Sequence, residues 1–176
     1  MVSNIYLIGP RACGKTTVGK ELADRLQTKF YDSDEVLVQK AGCEIAHYVD
    51  QNGWGGFRDL EVEVLRSLTQ KQGAVISCGG GTVVRAENRS VLSDSFTVYI
   101  KVDVQTLANR LQVDPNHDQR PSLTGKSIVD EIREVLEERE ELYSGCASIV
   151  ADGAGPITDV CEQILSSYNS FIKGDK

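Results

Sequence analysis

Eight residues, Gly9-Pro10-Arg11-Ala12-Cys13-Gly14-Lys15-Thr16, spell the pattern G-x-x-x-x-G-K-[ST], whose residue types suit the binding of a nucleoside triphosphate. In such a loop the backbone N–H groups at a helix N-terminus meet the phosphates, a lysine reaches the β- and γ-phosphates, and a hydroxyl ligates the accompanying Mg²⁺. Those tasks fall here to Lys15 and Thr16. The competing reading is a glycine turn with an incidental lysine, and the flanks argue against it. Ile5-Tyr6-Leu7-Ile8 is an apolar run fit for a buried parallel strand, and Val18, Leu22, Ala23 and Leu26 follow at helical spacing.

A pair of carboxylates, Asp32 and Asp34, closes a segment over 30–34 that reads as a second strand. Strand alternation would put both on one side, and the carboxyl ends of strands in open α/β sheets face the ligand crevice. One carboxylate can then serve the Mg²⁺ shell and the other can orient an acceptor hydroxyl. Alternatively, Asp34 only caps a helix starting at Glu35.

The elements that would position these groups follow in order. Short helices over 35–40 and 45–50 are broken at Gly42, Asn52-Gly53 breaks the chain again, and a longer helix runs to about Gln72 with Leu60, Val64, Leu65 and Leu68 inward. Arg58 and Glu61 share one face of it, either as a surface ion pair or as part of a site. Trp54, one turn before Arg58, is expected beside that site rather than in the core. A strand over 74–77 runs into Cys78-Gly79-Gly80-Gly81-Thr82, where the glycines let a ligand approach the backbone. A strand over 96–102 leads to a helix capped by Asp103, with Leu107 and Leu111 inward. The stretch 112–126, which includes Arg120, lacks periodicity and reads as a lid. Ser127-x-x-Asp130 caps the next helix, whose Glu131 to Glu141 are read mostly as a solvated face, with Arg139 ambiguous. A strand over 147–151, a turn over 152–156 and a closing helix over 157–172 complete the chain.

With 176 residues, 40% of them hydrophobic, and no Pro/Ser-rich linker, the chain is expected to form one domain with a substantial core. A net charge of -7 and a pI near 4.9 argue against a sequence-independent nucleic-acid surface. Five cysteines (Cys13, Cys43, Cys78, Cys146, Cys161) without C-x-x-C spacing are expected as reduced, small core residues. His47 and His117 have no second ligand candidate nearby in sequence, so neither is expected to bind metal. The N-terminus opens straight into a strand, and no run reaches membrane-spanning length. A monomeric cytoplasmic protein, without nucleic-acid or membrane partners, is the expectation.

Taken together, the Gly9 to Thr16 loop, Asp32-Ser33-Asp34, Gly56-Phe57-Arg58-Asp59-Leu60-Glu61, Gly79-Gly80-Gly81, Arg120-Pro121 and Glu138-Arg139 with Tyr143 resemble the shikimate kinases. These are small P-loop kinases of the nucleoside-monophosphate-kinase type, and the likeness runs over most of the chain. The resemblance implies an α/β fold of three α/β/α layers around a five-stranded parallel sheet in the order 2-3-1-4-5. It implies one kinase domain over 1–176, with an acceptor-binding helical region at about 34–61 and a mobile lid at about 112–126. The implied reaction moves the γ-phosphoryl of MgATP to the 3-hydroxyl of shikimate. The implied catalytic residues are Asp34 at the acceptor hydroxyl, with Lys15 and Arg120. Shikimate would meet Asp34, Phe57, Arg58, Glu61, Gly79, Gly80, Gly81 and Arg139. ATP would meet Arg11, Ala12, Cys13, Gly14, Lys15, Thr16, Thr17 and Arg120, while Thr16 and Asp32 serve Mg²⁺; Arg110 and Pro156 are the candidates, by position, for the adenine contacts. The chain departs from the family at position 12, an alanine where members often carry glycine. The turn Asp152 to Pro156 also lacks the arginine that some members place near adenine. A kinase of another small polyol or acid such as gluconate, and a non-catalytic nucleotide-binding protein, are the alternatives.

Overall fold

β1 (Ile5–Ile8) is buried along its whole length and pairs on both sides, with β3 (Val75–Ser77) through Ile5↔Val75 and with β4 (Phe96–Lys101) through Ile5↔Phe96. β2 (Phe30–Asp32) and β5 (Ile149–Asp152) add outside them, so the sheet is all parallel in the order β2-β3-β1-β4-β5, as the resemblance implied. The computed structural model describes residues 3–113 and 127–174. A strand covered on both faces needs apolar residues at successive positions, which is why the runs in β1 and β4 are nearly uninterrupted.

Period-two alternation splits the core into two. On one face Ile5, Leu7, Val98 and Ile100 pack with Leu22 of α1 (Lys15–Leu26), Leu107 of α5 (Val104–Gln112) and Ile164 of α7 (Ile157–Lys173). On the other, Tyr6, Ile8, Ile76 and Tyr99 pack with Leu60, Val64 and Leu65 of α3 (Ile45–Leu68), Leu92 of α4 (Ala86–Ser93) and Tyr143 of α6 (Ile128–Cys146). Asp103 and Ser127 accept from the backbone N–H of Thr106 and Asp130, as the capping signals predict.

Several boundaries differ from the sequence expectation. β2 ends at Asp32, and α2 (Ser33–Ala41) starts one residue later. The cap is therefore Asp32, whose side chain accepts from the Asp34 N–H, and not Asp34. α3 stops at Leu68 rather than near Gln72, and Gly53, at φ 69° and ψ 172°, interrupts it where Asn52-Gly53 was expected to. Four cysteines are buried, but Cys43 is only half-buried at the end of α2. Gln112 belongs to α5. Val113 caps that helix, and residues 114–126 of the expected lid, with His117 and Arg120, lie outside the described residues. No described helix is long and apolar enough to cross a membrane.

Candidate active site

The strand-to-helix turn between β1 and α1 wraps one end of a cavity of about 630 Å³. Arg11, Ala12, Cys13, Gly14, Lys15, Thr16 and Thr17 all line it. Lys15 Nζ donates to the carbonyls of Gly9 at 2.9 Å and Pro10 at 2.8 Å, which holds the ammonium over the loop. Ala12 adopts φ 63°, the left-handed region that costs a side-chain-bearing residue about 1–2 kcal/mol.

Asp32 and Asp34 also line the cavity, so the expectation that they share the crevice holds, although strand alternation is not the reason. Asp32 uses one oxygen on the Asp34 N–H at 3.0 Å and the other on the Thr16 hydroxyl at 3.1 Å. Asp34 stands in the first turn of α2, where a carboxylate is favoured by the helix dipole.

Gly79 and Gly80 form the facing wall. A Cβ on Gly79 would lie 2.6 Å from Asp34 Oδ1, and one on Gly81 would run into the guanidinium of Arg58. Glycine is required at both because side chains from α2 and α3 press against the backbone itself. Sequence reasoning missed Ser33, whose Oγ accepts from the Gly79 N–H at 2.9 Å and ties this stretch to the Asp32–Asp34 segment.

Arg58 and Glu61 form a close ion pair with side chains only 13% and 6% exposed, which excludes the surface-pair reading. Burial raises the Glu61 carboxyl above its ordinary value, and the Arg58 guanidinium counteracts this only in part. Phe57 is buried behind them. Trp54 is 39% exposed and packs edge-on against Phe57, with the Arg58 guanidinium 5.5 Å from its ring centre, so it is no core anchor.

Arg139 reaches the same place from α6. Its Nη1 donates to Gly80 O at 3.3 Å, and its Nε is buried without a hydrogen-bond partner. A buried guanidinium nitrogen without an acceptor favours an incoming anion. Tyr143, one turn on, donates to the same Gly80 carbonyl, and burial pushes its phenol up to about 12. The reading of Glu131 to Glu141 as a solvated face fails at Glu140, which accepts from Tyr99 at 2.5 Å and pairs with Lys101 at 2.6 Å. That pairing fixes the α6 turn carrying Arg139 to β4.

Beside the phosphate loop, Arg110 reaches the backbone of the loop and of the turn after β5. Pro156 precedes α7 but is not in the cavity lining, where Gly153, Gly155, Ile157 and Val160 stand instead. Ile157 and Val160 were missed, and the one signal for them was the apolar start of an amphipathic helix directly after Gly155-Pro156. No group of three or more His, Cys, Asp or Glu among the described residues could hold a metal. Thr16 and Asp32 nevertheless offer adjacent oxygens beside the loop, which suits Mg²⁺, an ion that takes one or two protein ligands and fills its octahedron with phosphate and water.

A five-stranded parallel sheet with a phosphate loop after its central strand, sharing one cavity with two aspartates and a glycine stretch that two arginines contact, defines a small P-loop phosphotransferase. A family model described as "Shikimate kinase" matches residues 11–169, and the chain belongs to the shikimate kinase family. It is 44% identical to shikimate kinase of Nitratidesulfovibrio vulgaris over 94% of this chain and 95% of that protein. It is 40% identical to shikimate kinase 2 of Escherichia coli over 98% and 99%. A solved shikimate kinase from Acinetobacter baumannii, in complex with shikimate, superposes with a TM-score of 0.88 at 33% identity, covering all of this chain and 96% of that one. A gluconokinase from Sinorhizobium meliloti shares the fold at a TM-score of 0.63 but only 16% identity.

Proposed function

We propose that this chain transfers the γ-phosphoryl group of MgATP to the 3-hydroxyl of shikimate, giving shikimate 3-phosphate and ADP. The observation that carries this reading is that one cavity is walled by the phosphate loop and by Asp34, Gly79 and Gly80, with Arg139 bonded to Gly80 and Arg58 packed against the adjoining Gly81. The loop amides and Lys15 bind and neutralise the phosphates; Asp34 holds the acceptor hydroxyl and takes its proton. Arg58, oriented by Glu61, and Arg139, oriented by Gly80 and Tyr143, grip the acceptor's carboxylate with paired N–H donors, a geometry that lysine cannot reproduce. Thr16 and Asp32 would hold Mg²⁺, which when bound offsets charge on the phosphate oxygens.

The test is ADP release with a panel of hydroxy acids, read alongside Trp54 emission. Shikimate is expected to drive turnover and to change the fluorescence saturably without nucleotide, because the indole stacks near the Arg58 guanidinium. Gluconate should do neither. Turnover with gluconate and none with shikimate would reject the acceptor.

Crowding at Gly81 gives a second expected result. Gly81→Ala must displace the Arg58 guanidinium, so the shikimate KM should rise at least tenfold while the ATP KM stays within about twofold, a loss of acceptor binding of roughly 1.4 kcal/mol or more. An unchanged shikimate KM in this variant would mean that Arg58 does not bind the acceptor from its observed position.

A further inference from the structure

We propose that Arg110 is a positioning residue of this reaction, holding residue 12 of the phosphate loop in the left-handed conformation that the loop requires. The inference rests on the kinase reading above and deepens it on the nucleotide side.

Ala12 stands at φ 63°. Strained backbone of this kind persists only where its surroundings over-determine it. The surroundings here include one guanidinium. Arg110 Nη1 is shared between the carbonyls of Ala12 at 3.3 Å and Cys13 at 3.4 Å, and Nη2 donates to Gly153 O at 2.8 Å. The first two acceptors belong to the peptides on the C-terminal side of the strained residue. The third is fixed to the sheet, because the Gly153 N–H donates to Lys101 O at 2.9 Å at the end of β4. A planar fork with two fixed nitrogens can span two backbone segments in this way, whereas a single ammonium cannot.

In a trans peptide the N–H points opposite the C=O. Fixing the Cys13 carbonyl therefore also fixes the direction of the Gly14 N–H at the start of α1, where phosphate binds. With the guanidinium removed, alanine is expected to relax towards negative φ and must be driven back each time phosphate binds. Glycine at the same position has no such preference.

The experiment is a double-mutant cycle over the wild type, Ala12→Gly, Arg110→Met and the double variant. It reads Mg²⁺-tripolyphosphate and MgATP affinity by calorimetry, together with Tm. Arg110→Met is expected to weaken both ligands, and by about tenfold more in the Ala12 background than in the Ala12→Gly background. Tm should couple in the opposite sense. Ala12→Gly should raise Tm more with Arg110 present, where strain is held, than in Arg110→Met, where it has already relaxed. Equal losses in both backgrounds would overturn the proposal, as would an Arg110→Met effect on ATP that is absent with tripolyphosphate, since that pattern marks a base contact. Should Arg110→Met not fold, Arg110→Lys keeps the charge without the fork and is expected to show the same coupling. A folded wild type that binds neither ligand would overturn the kinase reading itself, and this proposal with it.

Discussion

Asp34→Asn is expected to lower kcat by about 10²–10⁴-fold, the range for loss of a positioned general base, while MgATP binds as before. The amide keeps the shape of the carboxylate and its place against Gly79, yet it cannot take the proton of an acceptor hydroxyl. The helix itself is not at stake. Its cap is Asp32, which accepts the residue 34 N–H regardless of side chain, and the lost charge in the first turn of α2 is worth only about 0.3–1 kcal/mol. Single-turnover rates at saturating ATP and shikimate would measure the loss, with Tm recorded to show that folding is intact. Retention of most of the rate would reduce Asp34 to a helix-start residue.

The second large effect is expected from Arg58→Lys and Arg139→Lys. Each substitution keeps the charge and removes the fork, and hydrogen bonds to charged groups are worth about 1.5–3 kcal/mol. The shikimate KM should therefore rise roughly 10–100-fold, with a much smaller change for ATP. Arg139→Lys should be the more selective of the two, since Arg58 also neutralises buried Glu61 and its replacement disturbs the fold around α3 as well. Initial rates across shikimate concentration decide the matter, and an unmoved KM in both variants would remove the arginine grip from the mechanism.

What the sequence made legible follows from how local the causes are. The phosphate loop, the apolar runs of β1 and β4 and the caps at Asp103 and Ser127 depend on neighbours a few residues away, and they appear where expected. The order of the strands came from the family resemblance, because no periodicity says which strands adjoin. The end of β2 was misplaced because Asp32-Ser33-Asp34-Glu35 carries two competing helix-start signals, and Asp32 won by accepting the Asp34 N–H. Glu140 was hidden in a glutamate-rich run, since its partners Tyr99 and Lys101 lie on another element. Burial of the Arg58–Glu61 pair and the anchoring of Arg110 to the loop likewise depend on contacts across the chain.

The sheet's two separate cores bear on how such a chain can change over generations. The nucleotide-side helices α1, α5 and α7 share one apolar cluster and the acceptor-side helix α3 shares the other with α4, while α6 contributes to both, Ile132 to the first and Tyr143 to the second. Because well-separated sites combine nearly additively, an altered side chain on α3 behind Arg58 leaves the packing beneath the phosphate loop intact, whereas one on α6 near Arg139 reaches the cluster under the loop through Ile132. Variation in what is phosphorylated can therefore accumulate most freely around α3, while α6 ties the acceptor wall to the donor machinery.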